Sequence, residues 1–391
     1  MLIMAAMSAS SFSRATRKGF ADVEVTIELL IPGLFGLPGL PLVADLPTPA
    51  LDHLLANARL ASQSVVAAQA STADLNALNT AFGLDAAFAE VWPTAPYCLS
   101  VDDPNWDGEG FWLHADPVHL RPDRDQLRLF DSRTLGIAPG EARVLIAELN
   151  AHFSADGILL HAPVPGRWYL RAPGPVALRT RPLRAVMGGT LADVMPSGGD
   201  AGRWNALMNE AQMLMYQSPV NQARAEARRA AINGLWLSGA GEFASLELAP
   251  DLELVIGNDP LVLGLARAGG VPTASLTDSG LPELMANTPS GRVLLVDMEL
   301  GDALRRGDLP GWEAALQQLD RGLAPLVAWV LDGPGHRRGQ RFSVHLHDGS
   351  GATWIRPSGW TGHLSHWLGR HLGWRRSGGL AAARAAVHRR H

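Results

Sequence analysis

A single cysteine, Cys98, stands in 391 residues. It excludes an internal disulfide and any thiolate metal cluster, and it fits a reducing, cytoplasmic setting. Charge is also scarce: Asp, Glu, Lys and Arg together make up 18% of the chain, and the formal net charge is −5. That balance gives no broad electrostatic attraction for nucleic acid. No apolar run approaches the roughly 20 residues that a bilayer-crossing helix needs, so no membrane partner is expected. Tyrosine, at three copies against twelve tryptophans, is depleted without an evident physical reason. At the N-terminus Met1, Met4 and Met7 precede Arg14, Arg17 and Lys18. Charges that follow a short apolar run do not make a secretory signal, and residues 1–21 read as a flexible extension.

What is abundant is apolar residue, at 47%, with 41 Gly and 27 Pro. A chain of this length can bury a large core joined by many tight turns. The run VEVTIELLI, Val23–Ile31, reads as a buried first strand ended by Pro32, and Thr48-Pro49 opens a helix with Leu51, Leu54 and Leu55 on one face. Residues 62–90 read as loop and short helices. From 98 to 171 the texture becomes two strands, a helix (GEARVLIAELNAHF) and two more strands, which predicts an inserted α+β subdomain at 101–180. Strand and helix then alternate: LELVIGNDP and its helix, a strand at Val293–Val296 ending on Asp297, a helix over 312–323, and a strand at 326–331 ending on Asp332. This alternation predicts a mostly parallel sheet with helices on both faces. The last 16 residues, 376–391, read as a flexible basic tail.

The stretch Asn209–Gly241 predicts an apolar helix, a break at Pro219, a charged helix, and a buried strand from Ile232 that closes in the glycines Gly239 and Gly241. A strand opening into glycines is where α/β proteins put ligands. Asn221 and Arg224 just before it are therefore ligand-binding candidates.

The pattern SPVNQAR followed by INGLWLSGAG resembles a segment of the archaeal-type cofactor-independent phosphoglycerate mutases. It is more similar still to the bacterial RpfE-type regulatory proteins related to them. The resemblance implies an alkaline-phosphatase-like α/β core over 22–375, interrupted by the 101–180 insert. It also implies which chemistry has gone. Where the mutases carry a metal-binding Asp after the first strand, this chain has Pro32 and Gly33, and the Pro-Gly-Ser-Asp context of their nucleophile is absent. Asp297 stands without its histidine, and Asp332 is followed by Gly333, with His336 four residues beyond. The family's Arg-Cys-Asn falls on His114, Ala115 and Asp116, while Arg167 keeps a later basic position.

These losses predict a catalytically degenerate relative that binds a small acidic or phosphorylated ligand, or a protein partner, with no metal or other cofactor. The alternative is an active mutase or phosphohydrolase with two manganese, magnesium or zinc ions on rebuilt ligands from Asp297, Asp302, Asp332, His336, His345 and His347. In RFSVHLHDGSGATWIRPS, alternation puts His345 and His347 on one strand face, a spacing that suits zinc, while Asp348-Gly349-Ser350-Gly351 reads as a plain hairpin turn. Trp354, Trp360, Trp367 and Trp374 offer core packing or, in a third reading, an interaction surface. Any ligand is expected in a basic cleft between core and insert, at the carboxyl edge of the parallel strands, lined by His114, Asp116, Arg167, Asn221, Arg224, Gly239 and Gly241.

Overall fold

The computed structural model describes residues 24–37, 46–56, 58–63, 73–85, 88, 91–123, 126–187, 194–277, 290–331, 341–348, 352–357 and 379–388. Seven strands form one sheet: β1 (Glu24–Leu30), β2 (Arg59–Gln63), β8 (Leu252–Gly257), β9 (Thr273–Ala274), β10 (Gly291–Val296), β11 (Arg341–His347) and β12 (Ala352–Pro357). Their order is β2-β12-β11-β1-β10-β8-β9. The run from β11 to β9 is parallel, and β12 and β2 close one edge antiparallel. A mostly parallel sheet must be covered on both faces, and the side-chain alternation of β1 shows how. Val25, Ile27 and Leu29 enter a core with helices α1 (Pro49–Leu55), α10 (Glu299–Arg306), α11 (Leu309–Leu331) and α12 (Gly379–His388). On the opposite face Leu30 joins α2 (Ala73–Phe82), α3 (Thr94–Asp102) and α9 (Pro260–Ala268). The layered α/β architecture implied by the alkaline-phosphatase-like resemblance is thus present.

A second, antiparallel sheet runs β4-β3-β6-β5, with β7 also paired to β3. It comprises β3 (Phe111–Asp123), β4 (Gln126–Phe130), β5 (Leu159–Val164), β6 (Arg167–Ala172) and β7 (Gly234–Gly241). Between β4 and β7 lie the short α4 (Ser132–Leu135), α5 (Pro139–Phe153), the short α6 (Leu183–Val186), α7 (Ala201–Gln217) and α8 (Pro219–Glu226). Apolar residues of α5 and α7 cover one face of this sheet, packing on Leu113, Ala115, Leu235 and Leu237.

Three expectations change here. The strand after the Asn209–Gly241 motif does not enter the parallel sheet. It pairs antiparallel with β3 from Gly234↔Val118 to Gly241↔Trp112, so the second sheet draws on sequence well beyond 101–180. Periodicity finds a strand but not its partner, because both sheets bury apolar runs equally well. Residues 326–331 are the end of helix α11 rather than a strand. Leu323, Leu326, Val327 and Val330 recur at helical spacing and are all buried, and this apolar stripe continues the helix through Pro325. Finally, 379–388 is a helix docked on the core, not a flexible tail. Leu380, Ala383 and Val387 are buried, and Leu380 N–H donates to Asp52 Oδ1 at 2.8 Å. The expectations for 1–21, for Asp332 and His336, and for Trp360, Trp367 and Trp374 fall outside the described residues.

Asn221 and Arg224 have structural duties in this second layer. Asn221 Nδ2 donates to Met215 O (2.7 Å) and Ile232 O (2.8 Å), and its Oδ1 accepts from Ile232 N–H (2.8 Å). Arg224, 2% exposed, donates to Ala230 O, Glu141 Oε2 and Leu135 O at 2.7–2.8 Å. One guanidinium thereby fastens α8 to α5, to the end of α4 and to the turn before β7. Glu141 also accepts from Arg229, so it keeps one cation if Arg224 is lost. Arg224→Ala is expected to cost about 3 kcal/mol of unfolding free energy, since it strands buried carbonyls more than it strands the carboxylate. Urea unfolding of the two proteins checks this.

Candidate functional site

A cleft of about 800 Å³ lies between the two sheets. One wall is the carboxyl edge of the parallel sheet, with Gly257, Asn258 and Asp259 after β8 and Val296 and Asp297 at the end of β10. The other wall is β3, whose alternation sends Leu113 and Ala115 into the apolar layer behind it and His114 and Asp116 into the cleft. The position matches the expected one between core and insert.

Of the sequence candidates, His114, Asp116 and Arg167 meet here, together with Asp297 and Asp302. Asn221, Arg224, Gly239 and Gly241 do not line the cleft. The two glycines instead let strand and helix touch. A Cβ on Gly239, whose φ is +63°, would sit 2.1 Å from Thr94 Oγ1, and one on Gly241 would sit 2.4 Å from Pro93 Cβ. Both glycines therefore admit the start of α3 against β7 instead of cradling a ligand. His345 and His347 lie on β11 of a true hairpin with β12. His347 Nε2 sits 3.2 Å from Glu28 Oε1, and its Nδ1 bonds Thr353 Oγ1 at 3.0 Å, so this ring ties strands together.

The cleft is not basic. Its carboxyls are Asp116, Asp131, Asp259, Asp297, Glu299, Asp302 and Asp308, against the guanidinium groups of Arg133, Arg167, Arg184 and Arg306. Each of these arginines already has a carboxylate partner. Arg167 Nε and Nη2 grip Asp102 at 2.7 and 2.6 Å. Arg184 Nη2 meets Asp259 Oδ2 at 2.7 Å and Asp302 Oδ2 at 3.7 Å. Arg306 reaches Asp131 at 3.5 Å, and Arg133 pairs with Glu299. The last pair is largely exposed and adds little. The sequence reading missed Arg184, Asp131 and Asp259. Asp131 and Asp259 carried local signals as helix caps: Asp131 Oδ1 accepts from Thr134 N–H at 3.1 Å at the start of α4, and Asp259 Oδ1 from Leu261 N–H at 2.9 Å at the start of α9, whereas Arg184 carried none.

Burial sets the protonation states. Asp116, 8% exposed, is pushed up to about 8, chiefly by burial and against the pull of Arg167. His114 is pushed down to about 4 by the same desolvation, so its imidazole is neutral near pH 7. Asp297 is raised to about 6 by burial, opposed by the Glu299 N–H that it accepts at 3.0 Å. Asp259 is held below the ordinary carboxylate range because Arg184 and two helix N–H groups outweigh its burial.

Two divalent cations, which the mutase resemblance would bring, are not matched by the described residues. Among them no group of three or more His, Cys, Asp or Glu is arranged to hold a metal ion. Asp259 and Asp302 are engaged with arginines, and Asp297 has no imidazole beside it.

These shifts make stability depend on pH with a definite sign. Above pH 6.5 the unfolded chain has both His114 neutral and Asp116 ionised, whereas folded Asp116 holds its proton until about 8. The folded state then binds more protons, so stability falls as pH rises. A loss of about 1 kcal/mol is expected between pH 6.5 and 8, below the limiting slope of roughly 1.4 kcal/mol per pH unit because unfolded His114 is half charged at the lower end and folded Asp116 half ionised at the upper. Asp116→Asn should flatten that slope, as read from urea unfolding at the two pH values.

No protein-family model matches the chain, and neither does any curated protein. Among solved structures it is similar to the PH0037 protein from Pyrococcus horikoshii, at 14% identity and a TM-score of 0.48, covering 87% of this chain and 88% of that one. It is also similar to the cofactor-independent phosphoglycerate mutase from Thermoplasma acidophilum, at 17% identity and a TM-score of 0.40, covering 86% of this chain and 90% of that one.

Proposed function

We propose that this chain is a catalytically degenerate relative of the cofactor-independent phosphoglycerate mutases, an RpfE-type protein that works by binding a small molecule in the cleft between its sheets. The observation that carries the reading is the end of β1. There the mutase pattern calls for a metal-binding Asp, and this chain instead uses Pro32 and Gly33 to pack α10 against the sheet. A Cβ on Gly33 would lie 2.9 Å from the Gly301 backbone, and Pro32 Cβ is 3.2 Å from the Cβ position of Gly301. The Gly33 carbonyl accepts from Trp312 Nε1 at 2.9 Å. A position filled by packing offers neither an oxygen ligand nor room for a cation. The paired arginines of the cleft support the same reading, because the charge of each is already shared with a carboxylate and is not held in reserve for a transferring phosphoryl group.

Metal titration tests this directly. With manganese, magnesium or zinc, 3-phosphoglycerate isomerisation and phosphoester hydrolysis should stay at the rate without protein. Two tightly bound ions, with turnover that Asp297→Asn abolishes, would overturn the reading in favour of an active phosphotransferase.

A further inference from the structure

The polar groups of the cleft that lack partners are complementary in kind. Arg184 Nη1 is a buried donor without an acceptor among the described residues, although Nη2 of the same guanidinium is paired. His114 Nδ1 is buried and equally without a partner. The Asp116 carboxyl, on the same face of β3 two residues along, is also buried, and only burial and nearby charges act on it. His114, Asp116 and Arg184 all line the same cleft. Native proteins pair nearly all buried polar groups, and each exception left unmet costs about 1–3 kcal/mol. Two such exceptions, His114 on β3 and Arg184 on α6, line one cleft together with the buried acid Asp116 and make a ligand-shaped deficit.

Charge selects among the ligands. The four arginines of the cleft are balanced by carboxylates, whereas Asp116 and Asp297 face no guanidinium partner. A phosphate or dicarboxylate would add negative charge where acid groups are already in surplus. A simple amine would satisfy Asp116 but leave the Arg184 N–H without an acceptor. A molecule that carries both an ammonium and a carboxylate meets both needs and adds no net charge.

We propose that the cleft takes a small zwitterion of the amino-acid class, its ammonium held by Asp116 with His114 as second acceptor, and its carboxylate held by Arg184. This assignment rests on the reading of the cleft as a binding site and narrows it. The cleft volume of about 800 Å³ leaves space for a side chain beyond the two charged ends, within the roughly 300–1,000 Å³ usual for small-molecule sites. Thr277 and Gln318 add neutral polar groups to the lining.

The test is calorimetric titration of the full chain with each of the twenty standard L-amino acids, and with ethylammonium, acetate, inorganic phosphate and 3-phosphoglycerate as comparison probes. At least one amino acid should bind, and ethylammonium and acetate should each bind at least about a hundredfold more weakly, because each leaves one orphan unmet. Asp116→Asn, which keeps shape but cannot carry the negative charge, should weaken the amino acid about thirtyfold. Arg184→Lys, which keeps the charge but loses the planar fork, should weaken it as well. Absence of binding by every amino acid overturns the proposal, whether or not the variants fold. So does phosphate or acetate binding as tightly as the best amino acid, or a folded Asp116→Asn protein that binds unchanged. Tight 3-phosphoglycerate binding without turnover would overturn the zwitterion while leaving the non-catalytic reading intact. Metal-dependent turnover would overturn that reading instead.

Discussion

The junction between the two sheets rests on one carboxylate. Asp102, at the end of α3 with a side chain 3% exposed, accepts from Arg167 twice and from Tyr169 OH at 2.6 Å. Because α3 packs on both β3 and β7 as well as on α9, this cluster fixes the second sheet relative to the helix that covers the first. A buried carboxylate is costly unless its lone pairs are filled, and here three charge-assisted or short hydrogen bonds fill them. The close contacts of Gly239 with Thr94 and of Gly241 with Pro93 hold the other end of α3. Gly264 of α9 does the same on its far side, where a Cβ would meet Tyr97 O at 2.2 Å. The width of the cleft follows from these contacts.

Within that frame the cleft divides its polar groups into two sets. The pair of Arg167 with Asp102 is satisfied and acts as a wall, whereas Arg184 bonds Asp259 through Nη2 and keeps Nη1 without an acceptor among the described residues. Asp116 and His114 are buried, and Asp297 half-buried, without an ion-pair partner, and their proton affinities move accordingly toward the neutral form. The same desolvation that costs the empty protein stability becomes available to a ligand that supplies the missing partners. Cys98 lines the cleft as well, but burial raises its thiol well above the ordinary range, so it is a small apolar wall residue rather than a nucleophile.

Much of the fold was legible in the chain. β1, β8 and β10 announce themselves as short apolar runs with β-branched residues, α5 and α9 as stripes opened by capping signals, and the β11 to β12 hairpin by its turn chemistry. These are local properties, fixed by how each segment buries one face and satisfies its own ends. The body of helix α11 was read over 312–323, but its last turns, 326–331, were read as a strand because a short apolar run fits buried strand and buried helix equally well. His114 and Asp116 were candidates because the resemblance laid the mutases' Arg-Cys-Asn over residues 114–116. Asn221 and Arg224 carried the same polar signal for a different reason, closing backbone carbonyls inside the second layer.

What the sequence determined by itself was therefore the identity of most elements, a proline and a glycine in place of any oxygen-bearing side chain after β1, and the presence of polar groups on β3. What only the tertiary structure decided was which sheet β7 joins and which acids and arginines face each other. It also decided whether a charge stands alone. Pairings such as Arg184 with Asp259, or Arg292 with Glu28 at 2.6 Å across 264 residues, depend on long-range packing that no window of sequence contains. The protonation of Asp116 depends on the same packing, because desolvation is a property of everything around a group and not of the group itself.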